Sequence, residues 1–223
     1  MVPRRTNEPA KPSSDVVFWM LKPSKIVCVG RNYAAHAKEL GNDVPKEPLI
    51  FMKPPSSLIR SGESIRLPTV SKQVEYEGEI GVVVSKTLRR ASKEACRSAI
   101  AGLVAANDVT ARDLQKSDGQ WTRAKGFDTF CAVGEVAPAP DDLASLTVTT
   151  RVNGSVRQQG SAADMVFDIP DILSFISNIM TLEPGDLVLT GTPEGVGKLS
   201  PGDTVEVEIG GVSRVSNPVA QDA

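Results

Sequence analysis

Hydrophobic positions along this chain come in short runs separated by turn residues, not in long amphipathic stretches. Ile26-Val27-Cys28-Val29 closes at Gly30 and reads as a short buried strand. A polar segment from Tyr33 to Leu40 predicts a short helix that stops at Gly41, a residue suited to a helix C-cap. Pro45, Pro48, Pro54 and Pro55 break up the stretch that follows. Val74 to Val84 predicts a strand, and Lys93 to Ile100 predicts a helix with Ser92 as its N-cap. Gly102 to Ala106 is small and apolar and leads into Asn107-Asp108. Thr147–Val152, Asn153-Gly154 and Ser155–Gln159 form a hairpin signal, because Asn-Gly suits a type I′ turn. Ile172, Leu173, Ile176 and Ile179 recur at helical spacing, so Pro170 to Ile179 predicts a helix beginning at Asp168 or Ile169. Leu187 to Thr190 and Thr204 to Ile209 complete the strands. Many short strands with few helices favour a mixed, mainly β fold over a doubly wound sheet.

One strand breaks the apolar pattern. In Val74-Glu-Tyr-Glu-Gly-Glu-Ile-Gly-Val-Val-Val84, residues two apart share a face, so Glu75, Glu77 and Glu79 line up beside a run that requires burial. Crowded like charges repel, and buried carboxylates are costly unless paired or bound to a metal. A divalent cation resolves the conflict; an exposed edge strand with solvated glutamates is the alternative.

Composition narrows the classes without naming one. The 223 residues suit one sizeable domain, and a net charge of -2 gives no basic footprint for nucleic acid. No apolar run approaches the ~20 residues that span a membrane. Cys28, Cys96 and Cys131 are odd in number and widely spaced, the pattern of buried free thiols in a reducing compartment. Residues 1–17 are rich in Pro, Ser and charge and are expected to form a disordered tail, with a catalytic domain over 18–217. Arg4 and Arg5 suggest a transit peptide, but Glu8, Asp15 and the prolines oppose an amphipathic targeting helix. A cytoplasmic location is expected, or a mitochondrial matrix in a eukaryote.

Three groups of residues can carry chemistry. The acidic stripe gains a further carboxylate at Asp108, and all-oxygen ligation suits Mg²⁺, Mn²⁺ or Ca²⁺ rather than zinc. His36, the one histidine, has Glu39 three residues later, a spacing that lets a carboxylate orient an imidazole for general-base work. Arg112, Gln115 and Lys125 lie in two polar segments after Asp108, where cations and amides near a metal would hold an anionic substrate. Gly191 to Gly197 is no phosphate loop, since Thr192 and Leu199 stand where glycine and Ser/Thr are needed. It reads as a tight loop that frees Thr190 or Thr192 to contact a ligand.

The ordered series Lys25-Ile-Val-Cys-Val-Gly-Arg-Asn-Tyr-Ala-Ala-His36, Tyr76-Glu-Gly-Glu79, Asn107-Asp-Val-Thr-Ala-Arg112, Lys125-Gly-Phe-Asp-Thr-Phe-Cys131, Val152-Asn-Gly154 and Leu189-Thr-Gly-Thr-Pro-Glu-Gly-Val-Gly197 resembles the fumarylacetoacetate hydrolase family, in its small acylpyruvase-like branch. The resemblance covers roughly residues 18 to 210. It implies a distorted β-roll with a few short helices, commonly a homodimer. It implies Mg²⁺ or Mn²⁺ on Glu77, Glu79 and Asp108, with Glu75 outside the ligand set. His36 and Glu39 would activate water, Lys125 would stabilise a departing enolate, and Arg112, Gln115 and Thr192 would contact the substrate's oxygens. The implied reaction is hydrolysis of a C–C bond in an acylpyruvate such as acetylpyruvate or fumarylpyruvate. Oxaloacetate decarboxylation or isomerisation of a 2-hydroxy-dienoate at the same metal is the alternative, and a non-catalytic ligand-binding relative is a further one. Ala132 departs from the family's usual proline.

Overall fold

A computed structural model describes residues 21 and 23–222 of the chain. The expected tail at 1–17 lies outside the described residues. The strands, in chain order, are β1 (Ile26–Gly30), β2 (Leu49–Lys53), β3 (Leu58–Arg60), β4 (Ile65–Leu67), β5 (Val74–Tyr76), β6 (Gly78–Val84), β7 (Ile100–Asp108), β8 (Thr110–Ala111) and β9 (Cys131–Val133). They continue with β10 (Thr147–Val152), β11 (Ser155–Ser161), β12 (Leu187–Leu189), β13 (Gly197–Lys198), β14 (Thr204–Ile209) and β15 (Ser213–Gln221). The helices are short: α1 (Ala34–Glu39), α2 (Lys93–Ser98), α3 (Arg112–Asp118), α4 (Thr122–Lys125) and α5 (Ile169–Ile179).

A seven-stranded mixed sheet runs β2-β1-β12-β6-β7-β9-β3. A five-stranded sheet, β11-β10-β14-β15-β4, packs against it, and β13-β5-β8 form a small third sheet. Side chains alternate across β1: Val27 and Val29 join the core shared with Val148, Val207 and Val215, while Ile26 and Cys28 join Val104, Leu187 and Leu189 on the other face. The mainly β, few-helix architecture expected from the pattern is the one found.

Local rules account for several elements. Asn153 and Gly154 both take positive φ, 52° and 79°, as a type I′ turn requires, and the hairpin forms between β10 and β11. Asp168 caps α5 by accepting from Asp171 N–H at 2.7 Å, and Ile169, Ile172, Leu173 and Ile176 are the buried stripe. Ser92 caps α2 through Ala95 N–H.

The acidic strand is not continuous. It breaks at Glu77: β5 belongs to the small sheet, whereas β6 is the middle strand of the seven. Gly78 sits at the crossing, where a Cβ would lie 1.9 Å from Thr150 Oγ1, so only glycine fits there without displacing β10. None of the three glutamates is solvated: Glu75, Glu77 and Glu79 are 7%, 4% and 1% exposed. The exposed-edge alternative is thereby removed.

Candidate metal centre and pocket

β6 and β7 pair antiparallel with Gly78 opposite Asn107 and Glu79 opposite Ala106, which sets Asp108 beside Glu77. Asp108 N–H donates to the Glu77 carbonyl at 2.8 Å, and Asn107 Oδ1 accepts from Glu77 N–H at 2.9 Å, pinning the bend. One carboxylate oxygen from each of Glu77, Glu79 and Asp108 then lies within 4.8 Å of the others. Asp108 is wholly buried.

Three cations surround this cluster. Lys125, at the end of α4, donates to Glu77 Oε2 at 2.6 Å and to Asp108 Oδ2 at 2.8 Å. Lys53, at the end of β2, donates to Asp108 Oδ1 at 2.6 Å and to the Val109 carbonyl at 3.2 Å. Arg112 opens α3 and donates through Nε to Glu75 at 2.7 Å, through Nη1 to Gln115 Oε1 at 2.5 Å and through Nη2 to Glu77. Glu75 is thus engaged by Arg112, and also by Gln73 Nε2 at 2.6 Å.

Four buried carboxylates thus meet three buried cations, and the charge left over falls on Glu79. Its one hydrogen bond among the described residues comes from Gly191 N–H at 2.7 Å. Burial first, and then the charges of Asp108 and Glu77, push its carboxyl well above the ordinary range. Burial acts the same way on Glu77, but Lys125 and Arg112 outweigh it and hold that carboxyl well below the ordinary range. Lys125 is itself raised, because Asp108 and Glu77 overcome the cost of burying its charge.

This donor set fits a hard divalent cation. The converging atoms are all carboxylate oxygens, and one of the three carboxylates has no cation upon it among the described residues. Mg²⁺ or Mn²⁺ matches that chemistry, whereas nitrogen and sulfur donors for zinc are missing from the cluster.

A small pocket opens over the cluster. Glu77, Glu79, Arg112, Lys125 and His36 border it, as do Gln115 and Thr192. His36 is buried on α1, its Nδ1 3.2 Å from Glu39 Oε2, and Glu39 Oε1 accepts from Gly195 N–H at 3.0 Å. The carboxylate favours a proton on Nδ1, which leaves Nε2 as the basic atom. Glu39 itself stands behind His36 on an adjoining outer groove.

Thr192 Oγ1 donates to the Gly78 carbonyl at 2.9 Å and accepts from Gln158 Nε2 at 2.8 Å, so it braces the β5–β6 crossing while it lines the pocket. Thr190, its rival in the sequence, is turned into the sheet by a bond to the Ile80 carbonyl at 2.9 Å. Lys53 and Gln158 are buried polar residues at this site that the sequence reading passes over. Lys53 carries a signal, a lysine closing the apolar run Leu49-Ile-Phe51; Gln158 carries none beyond hairpin polarity. The three cysteines are free and buried, and burial raises Cys131 to about 12, so their thiols stay protonated.

Comparisons with known proteins place the chain in a family. The model of the fumarylacetoacetate (FAA) hydrolase C-terminal domain matches residues 25–220. The mitochondrial oxaloacetate tautomerase FAHD1 of Arabidopsis thaliana is 46% identical, the match covering 86% of this chain and 89% of that protein. The mitochondrial oxaloacetate decarboxylase of Dictyostelium discoideum is 42% identical over 84% of this chain and 89% of that protein. A crystal structure of fumarylpyruvate hydrolase from Pseudomonas aeruginosa, in complex with Mn²⁺ and pyruvate, superposes with a TM-score of 0.84 at 30% identity, covering 90% of this chain and 91% of that one. With the match running over residues 25–220 of its 223, this chain belongs to the fumarylacetoacetate hydrolase family.

Proposed function

We propose that this protein is a divalent-metal-dependent enzyme that makes and reprotonates the enolate of a small 2-oxo acid, with oxaloacetate as its substrate and keto–enol tautomerisation as its reaction. One observation carries the proposal: the Glu39-oriented imidazole of His36 borders the same pocket as the under-neutralised carboxylate cluster. The relatives named as acting on oxaloacetate, at 46% and 42% identity, support the choice of substrate.

When bound to Glu77, Glu79 and Asp108, Mg²⁺ or Mn²⁺ supplies Lewis-acid polarisation of the substrate's oxo group. His36 Nε2 takes a proton from the carbon next to that group, and the enolate oxygen gains a proton in its place, from the imidazolium or from solvent, to give the enol. Ketonisation runs the same transfers in reverse, and Glu39 stabilises the imidazolium that forms between them. Lys125 has three N–H donors, of which Glu77 and Asp108 use two, so one remains for the developing oxyanion. Arg112 retains N–H groups beyond those given to Glu75, Glu77 and Gln115, and the Gln115 amide N–H₂ makes no hydrogen bond among the described residues. Both can hold the substrate's carboxylate.

Hydrolysis of acetylpyruvate or fumarylpyruvate is the second reading. There His36 would deprotonate a water instead of a carbon, and the resemblance to a fumarylpyruvate hydrolase favours it. Oxaloacetate decarboxylation needs no base, because carbon dioxide leaves without a proton being taken. A panel of oxaloacetate, acetylpyruvate and fumarylpyruvate, run with and without EDTA, decides among these. His36→Ala should lower tautomerisation about 10²–10⁴-fold while sparing decarboxylation. A variant that tautomerises oxaloacetate at the wild-type rate would contradict the proposal. A homodimer in the cytoplasm is part of the same reading, and light scattering on the purified chain tests its oligomeric half.

A further inference from the structure

The pocket holds a third cation that the chemistry above leaves unused. Arg31 borders it alongside Arg112 and Lys125, but the latter two are engaged by Glu75, Glu77 and Asp108. Arg31 is partly buried and makes no hydrogen bond or ion pair to a side chain among the described residues; its guanidinium lies 6.0 Å from the centroid of the Trp121 ring. It also borders the outer groove, beside Lys116, so it stands between the inner site and the mouth.

The chain holds Arg31 in place at a conformational cost. Its φ is +59°, in the left-handed region that L residues rarely adopt. The next residue, Asn32, is wholly buried and locks that turn. Asn32 Nδ2 donates to the carbonyls of Thr190 and Phe167 at 2.8 and 3.0 Å, and its Oδ1 accepts from Phe167 N–H at 2.9 Å. On the other side Trp121 packs so close to Gly30 that a Cβ there would come within 2.9 Å of the indole. The ring is steadied in turn by Phe51, edge to face at 5.1 Å. A strained backbone, an anchored neighbour and an aromatic support thus hold one uncommitted guanidinium at the pocket's outer end.

We propose that Arg31 is a specificity-determining residue that binds the distal carboxylate of the substrate, so that the site selects dicarboxylic over monocarboxylic 2-oxo acids. This deepens the functional reading above and rests on it. The 2-oxo-carboxylate end would lie over Glu77, Glu79 and Asp108, which would hold the metal, beside Arg112 and Gln115, and the far end would then meet Arg31. A second carboxylate pairs there with a guanidinium whose fork geometry suits it. A methyl group at the same place would leave that cation desolvated against an apolar end.

The test uses the full chain loaded with Mn²⁺, as wild type, Arg31→Gln and Arg31→Lys. Two substrate pairs share an inner end and differ in the outer one: oxaloacetate with 2-oxobutyrate, followed by deuterium exchange at C3, and fumarylpyruvate with acetylpyruvate, followed by hydrolysis. Arg31→Gln should lower the dicarboxylate-to-monocarboxylate ratio of kcat/KM by roughly a hundredfold, mainly through KM. Arg31→Lys should keep part of the ratio. A ratio within twofold of wild type in whichever pair is turned over would overturn the assignment, even if both rates fell. If neither pair is turned over, the enzymatic reading fails, and binding decides Arg31 separately. The affinity of 3-sulfopyruvate relative to pyruvate should then drop in Arg31→Gln by a similar factor, and an unchanged relative affinity would overturn the proposal.

Discussion

Glu79 and Asp108 are both fully enclosed, yet their surroundings differ: Asp108 accepts from two lysines, and Glu79 accepts from one backbone N–H. Removing each partner should therefore act in opposite directions on the metal-free protein. Glu79→Gln removes the carboxyl that is costly to ionise beside Glu77 and Asp108, so at alkaline pH, where Glu79 is forced to ionise, it should raise the melting temperature in EDTA, while weakening Mn²⁺ binding by at least about 10²-fold. Titration calorimetry and thermal melts of the same variant check both halves. Lys53→Met leaves Asp108 with Lys125 alone, and breaking a buried pair this way costs about 3 kcal/mol or more in urea unfolding of the metal-free protein. The sequence exposes these residues unevenly. Carboxylates two apart in an apolar strand announce themselves, but the sequence cannot say which carboxylate each lysine neutralises, because Lys53 and Lys125 reach the site from separate elements.

Between β5 and β6 the chain changes sheets within one residue, and that step aims Glu77 and Glu79 into the same pocket. Gly78→Ala should destabilise the fold by about 1–3 kcal/mol through the clash with Thr150 Oγ1, and should also weaken Mn²⁺ binding because the two ligands flank the displaced residue. A loss of stability with unchanged Mn²⁺ affinity would show that the crossing does not position the ligands. Elements whose signal is local were readable: the Asn153-Gly154 hairpin, the Asp168-capped α5 and the Ser92-capped α2. The break at Glu77 was not, since it depends on Thr150 and Asn107, which approach from other strands. β2 was hidden by prolines that bound it at Pro48 and Pro54 without interrupting it. β15 was hidden by Pro218, which is exposed while Val215, Asn217 and Val219 face inward.

Across the whole molecule, Asp186 joins the start of β1 to the turn before β12. It accepts from Ser24 N–H and Oγ, both at 2.8 Å, from Lys25 N–H at 3.2 Å and from Glu183 N–H at 2.8 Å. Burial raises its carboxyl, but the Glu183 amide, Lys25 and Ser24 outweigh that and leave it below the ordinary range. A depressed folded-state value means the stabilisation is complete above the unfolded range near ~4 and is lost as pH falls through the lower folded value. Asp186→Asn should therefore flatten the acid limb of stability below about pH 4, read as urea midpoints across pH. The family fold itself was legible, because it is written in an ordered series of local motifs; the reaction was less so, because one metal site and one base serve tautomerisation and hydrolysis alike. The most direct test of the central claim is the rate of oxaloacetate keto–enol exchange by the purified chain, stripped with EDTA and then supplied with Mg²⁺ or Mn²⁺. The account predicts catalysis that is lost on stripping, returns with either ion and falls about 10²–10⁴-fold in His36→Ala. Exchange catalysed as fast without metal, or at the wild-type rate in His36→Ala, would contradict it.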